Sequence, residues 1–478
     1  MEDAELTASR KMGVEDTSDR LYRNKAILAP MVRAGTLPFR ALALRYGADT
    51  VFTEEIIDRR VVNAVRTENP ILQTVDYVES RGKKGSATPF QTCALERDRV
   101  VYQIGTGDAA NALRAAQHVE RDVAAVDINM GCPKRFSLQG GMGAALLKRP
   151  EVAADIVGTL RRNLSVPVSV KIRLLDTPTD TVEFARRMEK AGACALTVHV
   201  RQLEDKPASK ARWEELRPVV DAVNIPVIAN GDVYTRADMA SIKALSGCCS
   251  VMLARPALLN CSVFKPEGEL LPLKEVIQQY LRECTRYDSI YQSAKYTVME
   301  MITKRRHPDH LKASISVGLP AGAPGMREVT AAKTLEQLAV LWDVGSDHHA
   351  ELARRKERAE HLGQNSNAGE TERDCIHKFD DAYFLEPEAA KNGSRATSGR
   401  DVAVEGDRSE GAEKPLAVQT PVGAGDMATV VPVPESLTGG TDGEGRCNGN
   451  RGACSDAIEK QDLRLERRED GPGGEREA

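Results

Sequence analysis

AVDINMGCPKRFSLQGGMGAALL, residues 125–147, decides how the rest of the chain is read. It opens as a short apolar run from Val126 to Ile128, with the alternation and β-branching of a buried strand. It closes in Ala144 to Leu147, which reads as the start of a helix. The loop between carries the chemistry. Asn129 stands where the strand gives out, Cys132 follows, Pro133 stiffens the exit, and Lys134 and Arg135 add positive charge. Gly140, Gly141 and Gly143 let the backbone pass close to another group. The order is strand, active-site loop, helix.

Working outward, the same unit recurs from Lys25 to about Phe264: a short β-rich run, a polar loop, then an amphipathic helical stretch. The runs are AILAPMV at Ala26, TVFTEE at Thr50, VVYQIG at Val100, AVDINM at Ala125, PVSVKIR at Pro167, ALTVHV at Ala195, PVIANG at Pro226 and CSVMLA at Cys249. Strand and helix in alternation imply a parallel sheet. About eight such units over roughly 240 residues are the size of a (β/α)8 TIM barrel and too many for one doubly wound half. At or just past the strand ends stand Met31, Glu54, Gln103, Asn129, Lys171, His199, Asn230 and Arg255. Barrel active sites are built from the carboxyl ends of the strands, so these eight should converge on one mouth.

The interval between the second and third runs, Asp58 to Arg99, is long and contains RGKKGSATPFQTC, an extra hairpin or excursion with a basic tip. RQLEDKPASKARW, after the sixth run, is a long polar loop of the kind that faces a substrate. Beyond Phe264, LPLKEVIQQYLRECTRYDSIYQSAKYTVMEMITKR and VTAAKTLEQLAVLWDV have helical spacing, with Tyr, Arg and Lys among the apolar residues. Past about Gly345 the chain is rich in Gly, Glu, Arg, Ser and Pro and should be mostly disordered, with Ala350 to Glu360 a charged single helix. The expected organisation is an amino-terminal extension over 1–24, a catalytic barrel over 25–264, a small all-α domain over 265–345 and a low-complexity tail over 346–478.

Bulk properties agree. With 41% hydrophobic and 28% charged residues over 478, and a mean hydropathy of -0.38, the chain suits a folded part with a polar remainder. Its net charge of -4 supplies no general attraction to phosphates, so a nucleic-acid function needs a local basic surface. No apolar run approaches the roughly 18 residues of a membrane helix, and the first twenty residues lack the apolar core of a signal peptide. A soluble intracellular protein is expected, cytoplasmic and with the nucleus as a second compartment. Its 10 cysteines form no CxxC pair and should be reduced. Cys248 and Cys249 read as small core residues at a strand start. His307 and His310 have a metal-like spacing but no partner set, so no metal is expected.

The loops after the seventh and eighth strands of such barrels often bind phosphate, and Asn230, Gly231 and Asp232 with Ala254 and Arg255 supply backbone amides and a basic side chain there. Lys171 and His199 would place positive charge or donors at the centre of the mouth, where a reduced, anionic flavin gains from a cation; Gln103 could bond another ring edge. Gly140 and Gly143 lack the context of GxGxxG, so a nicotinamide cofactor would visit rather than reside. A thiol of pKa about 8.5 is mostly protonated at neutral pH, so Cys132 can donate a proton where a carbanion develops. A nucleophilic role would need a base, and His199 could lie close in space.

Taken together, APMVRAGTLPFR, YQIGT, DINMGCPKRFSLQGGMGAALL, VKIR, VHVR, ANGDV and LARPAL resemble the tRNA-dihydrouridine synthases. PMVRAGTLPFR and NMGCPKRFSLQGGMGAALL are most similar to the eukaryotic branch acting at position 20 of the D loop. The resemblance covers about Lys25 to Gly345. It implies FMN held by Pro30, Met31, Val32, Gln103, Lys171, His199, Asn230, Gly231, Asp232, Ala254 and Arg255, with NADPH or NADH as the transient reductant. It implies tRNA as partner, a uridine C5–C6 bond as the one reduced, and a helical domain that helps grip the tRNA. Hydride would pass from the flavin to C6 and a proton from Cys132 to C5, with Asn129 touching the flavin or the flipped target base. A monomer is expected. Val200 stands where the family usually has Gly or Ala, which would crowd the cofactor or only reshape the loop. Animal members carry a double-stranded RNA-binding domain near the carboxyl end. HKFDDAYFLEPEAAKNG at His377 is similar to its opening strand, but no aromatic core or basic helix follows.

Two alternatives compete with this reading. One is a flavin barrel reductase of a small pyrimidine or enone, which would not need the helical domain. The other is a non-catalytic tRNA-binding homologue, against which Cys132, Lys171 and His199 argue.

Overall fold

The computed structural model describes residues 16–80, 85–206, 208–266, 269–303 and 319–363. Eight parallel strands close on themselves: β1 (Ala26–Leu28), β2 (Thr50–Phe52), β7 (Val100–Gly105), β8 (Ala125–Met130), β9 (Val168–Arg173), β10 (Leu196–His199), β11 (Val227–Asn230) and β12 (Ser250–Leu253). Each pairs with its neighbour, β12 returns to β1, and β2 bridges to β7. All eight expected runs are strands of one barrel.

Period-two alternation divides each strand between two environments. One set of side chains, including Leu28, Val51, Val126, Val170 and Val251, joins the large core between strands and surrounding helices. The other fills the lumen, where Ile27, Phe52, Val101, Ala125, Ala195, Ile228 and Met252 pack around Tyr22 and Leu21. Moving two residues along a strand exchanges this apolar plug for polar groups. Ala125 gives way to Asp127 and Asn129, Val101 to Gln103, and on β9 Ser169 is followed by Lys171 and Arg173. Tyr22 caps the plug, its hydroxyl donating to Ser169 Oγ at 3.1 Å, and Ser169 donates to Asp127 at 2.7 Å. The lumen is therefore sealed at one end and wettable at the other.

The helices that enforce closure carry clear start and stop signals. Pro178–Ala191 begins with Thr177 accepting from the Asp180 N–H, has Pro at its first turn, and stops at Gly192 with φ 104°. Arg236–Ser246 opens with a Thr235/Asp238 capping box. The segment read as a helix start at Ala144 is a 3-10 turn, Gly143–Lys148; the long helix begins only at Pro150, and an unforeseen short helix, Arg135–Gln139, lies inside the loop. The loop folds back on itself, so periodicity could not show these turns.

The excursion after β2 is more than a hairpin. β3 (Ile56–Ile57) continues along β7, and β4 (Ala64–Asn69), β5 (Thr74–Ser80) and β6 (Ser86–Cys93) form an antiparallel sheet of their own. Arg66 forks onto Asp122 at 2.6 and 2.9 Å, and Tyr77 donates to the same carboxylate at 2.6 Å, clamping the sheet to the barrel wall. The basic tip, residues 81–84, lies outside the described residues.

Helices Leu273–Arg286, Tyr291–Ile302, Met326–Ala331, Leu335–Leu341 and Gly345–His361 follow the barrel. The first packs on Leu37–Arg45, with Phe39 edge-on to Tyr280 at 5.9 Å. The last crosses the boundary expected at 345/346, and it is no free-standing charged helix. Asp347 pairs with Arg282, Arg355 with Asp288, and Arg358 donates to the Ile71 carbonyl of the excursion. Polar cross-links, not an apolar stripe, dock it, which composition cannot reveal. His307, His310, the segment at His377 and the rest of the tail lie outside the described residues. Among the described residues no helix is long and apolar enough to cross a membrane, and no cluster of ligating side chains could hold a metal. Cys248 and Cys249 are free thiols just before β12.

Candidate active site at the mouth of the barrel

Register brings the candidate residues together. Asn129 pairs with Lys171, and His199 pairs with both Arg173 and Asn230. Partners in register point to the same face, so these side chains enter the mouth side by side.

Asn129 builds the loop that carries Cys132. Its Oδ1 accepts from the N–H groups of Gly131 at 2.9 Å and Cys132 at 3.0 Å, and its Nδ2 donates to Gln103 Oε1 at 3.1 Å. One amide hydrogen remains for a ligand. Gln103 in turn donates to Asp127 at 2.9 Å and is fully buried. Its amide is thus shared between Asp127 and Asn129, at the base of the Cys132 loop. Burial pushes the Asp127 carboxyl up to about 6 despite its bonds from Gln103 and Ser169 and the charge of Lys171.

The loop returns at Gly143, where Ala144 N–H bonds the Cys132 carbonyl at 3.0 Å. Gly143 has φ 57°, and a Cβ there would lie 2.7 Å from the Cys132 oxygen and 2.9 Å from the Cys132 Cβ. Gly143→Ala should displace the thiol and cut turnover about 100-fold. Steady-state assay beside the protein's visible absorbance would check this; unchanged turnover would show that the loop tolerates the shift.

A cationic face lies opposite. Lys171 is half-buried, and burial followed by the neighbouring Arg173 lowers it to about 8, so it stays mostly protonated at neutral pH. Arg173 donates to the Gly131 carbonyl at 2.8 Å, tying β9 to the Cys132 loop. His199 is held well below the usual imidazole range by burial first, then by Lys171, Arg173, Arg201 and Arg255, so it is neutral. Arg201 donates to His199 Nε2 at 3.3 Å, which leaves Nδ1 as the N–H donor.

Asp232 holds the arginines. Its carboxylate takes Arg201 at 2.5 Å and Arg255 at 2.6 Å. Burial would raise this carboxyl, but the bonds from Arg201 and the Ala211 N–H, with the charges of Arg201 and Arg255, outweigh it and hold it below the usual range. With both oxygens engaged, the Asp232 side chain is committed to the arginines and aims Arg255. Gly231 sits at φ 127°, and a Cβ there would meet Val200, Ala211 and His199 at 3.2 to 3.3 Å. Val200 is fully buried in the core, packed beneath the Gly231 backbone. Asn230 is buried, donating to the Met252 carbonyl at 2.9 Å. On the first loop the Met31 carbonyl accepts from Ala34 and Gly35, Pro30 is partly exposed, Val32 is exposed, and Ala254 is partly buried beside Arg255.

Arg173, Arg201 and Glu55 were not singled out from sequence. The first two stand two residues beyond Lys171 and His199, so period-two alternation marks them as sharing the same face.

The dihydrouridine synthase (Dus) family profile matches residues 27–314, which takes in every one of these side chains. This chain belongs to the dihydrouridine synthase family. It is similar to the tRNA-dihydrouridine(20) synthase (NAD(P)+) of Saccharomyces cerevisiae, 35% identical over 298 residues, covering 59% of this chain and 78% of the relative. The protein of the same description from Schizosaccharomyces pombe is 34% identical over 288 residues, covering 59% of this chain and 60% of the relative. The tRNA-dihydrouridine(16) synthase of Neisseria meningitidis is 35% identical over 247 residues, covering 51% and 71%. As a dihydrouridine synthase this chain is an oxidoreductase, and the family match extends past the barrel into helices Leu273–Arg286 and Tyr291–Ile302.

Proposed function

We propose that this dihydrouridine synthase reduces the C5–C6 double bond of a uridine in the D loop of tRNA, at position 20, with FMN resident at the mouth and NADPH or NADH as reductant. The observation that carries the reading is one thiol, Cys132, facing a half-buried cationic wall of Lys171, Arg173 and Arg255 around a neutral His199. That donor set fits a phosphorylated ring system which becomes anionic on reduction. Arg255, the Gly231–Asp232 backbone and His199 Nδ1–H would take the phosphate, and Lys171 the electron-rich ring edge. Bound FMN would supply hydride to C6 of the uridine.

The chain's own part is to hold and deliver a proton. Burial, then the neighbouring Glu55, raises the Cys132 thiol to about 11, so Sγ–H survives at neutral pH for transfer to C5. Asn129 fixes the loop, so the thiol's height above the lumen is set by the same residue that has an amide hydrogen to spare. The target base must leave the tRNA stack to lie there. Arg33, 5.6 Å over the Tyr296 ring, joins the first barrel loop to helix Tyr291–Ile302, giving a surface that runs from the mouth to the helices.

The test is nucleoside mass spectrometry of dihydrouridine-free tRNA after incubation with flavin-loaded protein and NADPH. A gain of two hydrogens at one D-loop uridine is expected. Consumption of NADPH with unmodified tRNA would turn the assignment to a small pyrimidine or enone.

A further inference from the structure

The break between β2 and β3 places Glu55 beside Cys132, near enough for the carboxyl and the thiol each to perturb the other. Its Oε1 is buried and has no hydrogen-bond partner among the described residues. Gly105, at the end of β7, makes room for it: a Cβ there would lie 2.7 Å from Oε1 and 3.1 Å from Cγ of Glu55. Among the described residues no arginine or lysine neutralises this carboxyl, unlike Glu96, which is paired with Arg40, or Asp122, which is paired with Arg66. A buried carboxyl with an oxygen to spare, next to a group that must give up a proton in every cycle, is costly unless it is used.

We propose that Glu55 is the positioning residue for Cys132 and the donor that restores its proton. The inference rests on the reading of Cys132 as the acid. Cys132 Sγ–H gives its proton to the substrate carbon and becomes thiolate. The Glu55 carboxylic acid then passes its O–H proton to Sγ and becomes carboxylate, and solvent reprotonates Glu55 before the next cycle. Bonds and charge balance, and no electrons move. Burial raises the Glu55 carboxyl to about 7, against the opposing influence of the neighbouring thiol, so both protonation states are populated near neutrality. The other groups facing the thiol are the Ser137 hydroxyl and the Lys134 N–H from its own loop, and Lys171 and Arg173 from β9. The cations favour thiolate; burial and Glu55 outweigh them.

The experiment is alkylation of Cys132 by iodoacetamide in flavin-loaded full-length protein across pH 6 to 11, read as modification of the Cys132 peptide. A coupled pair gives the parent a two-step curve. In Glu55→Gln the curve should become a single step moved to lower pH, with alkylation about tenfold faster at a given alkaline pH for every pH unit the midpoint moves. The Gln variant should lose on the order of tenfold in multiple turnover, with Glu55→Asp restoring part of the loss. A one-step parent curve, or parent and Gln curves that superimpose, would overturn the proposal, and the parent measurement stands even if Glu55→Gln fails to fold. Full turnover in Cys132→Ala would instead remove the acid reading beneath it.

Discussion

Cys132→Ala should keep its flavin and lose turnover by roughly 100- to 10,000-fold, the span that a positioned proton donor contributes. The backbone of the loop does not depend on the thiol. Cys132 N–H bonds Asn129 Oδ1 and its carbonyl accepts from Ala144, contacts that alanine keeps. The cationic wall on β9 to β12 is anchored through Asp232 and the Gly131 carbonyl, neither of which uses the thiol. Loss of turnover with intact visible absorbance is therefore expected, and dihydrouridine formation at the parent rate would show that the proton comes from elsewhere.

Arg40→Met should cost about 3–5 kcal/mol of stability, because it strands a buried carboxylate. Arg40 and Glu96 are 3% and 0% exposed. The guanidinium forks onto Glu96 at 2.8 and 2.6 Å and donates to the carbonyls of Gly35 at 2.6 Å and Gln91 at 2.8 Å. One side chain thus ties helix Leu37–Arg45, the loop after β1 and the end of β6. Methionine keeps the stem's volume but leaves the Thr92 hydroxyl as the remaining donor to Glu96. Denaturant unfolding would measure the loss, and the double variant Arg40→Met with Glu96→Leu should recover much of it. A single-variant loss below about 1 kcal/mol would mean that water reaches Glu96.

The barrel was legible in the sequence because its strands are short β-branched runs and several helices carry local caps, as at Thr177 and Gly192 or Thr235 and Gly247. The same holds for much of the mouth. Lys171, His199 and Asn129 stand at or within two residues of the ends of strands whose preceding residues alternate, and alternation fixes the face a side chain takes. Residues whose role depends on a distant partner were not legible. No local pattern shows that Asp127 and Asn129 share the Gln103 amide, or that Arg201 and Arg255 divide the Asp232 carboxylate between them. Nor could composition dock helix Gly345–His361, whose hold is a few cross-linked charges.

By itself the sequence determined the eightfold alternation, the loop chemistry around Cys132 and the family to which the chain belongs, since all three are written in local spacing. Only the tertiary structure decided what surrounds each polar group: it set Glu55 against Cys132, neutralised His199 among cations and buried Val200. Neighbours such as Glu55 and Cys132 stand far apart along the chain, and closure of the barrel is what brings them together.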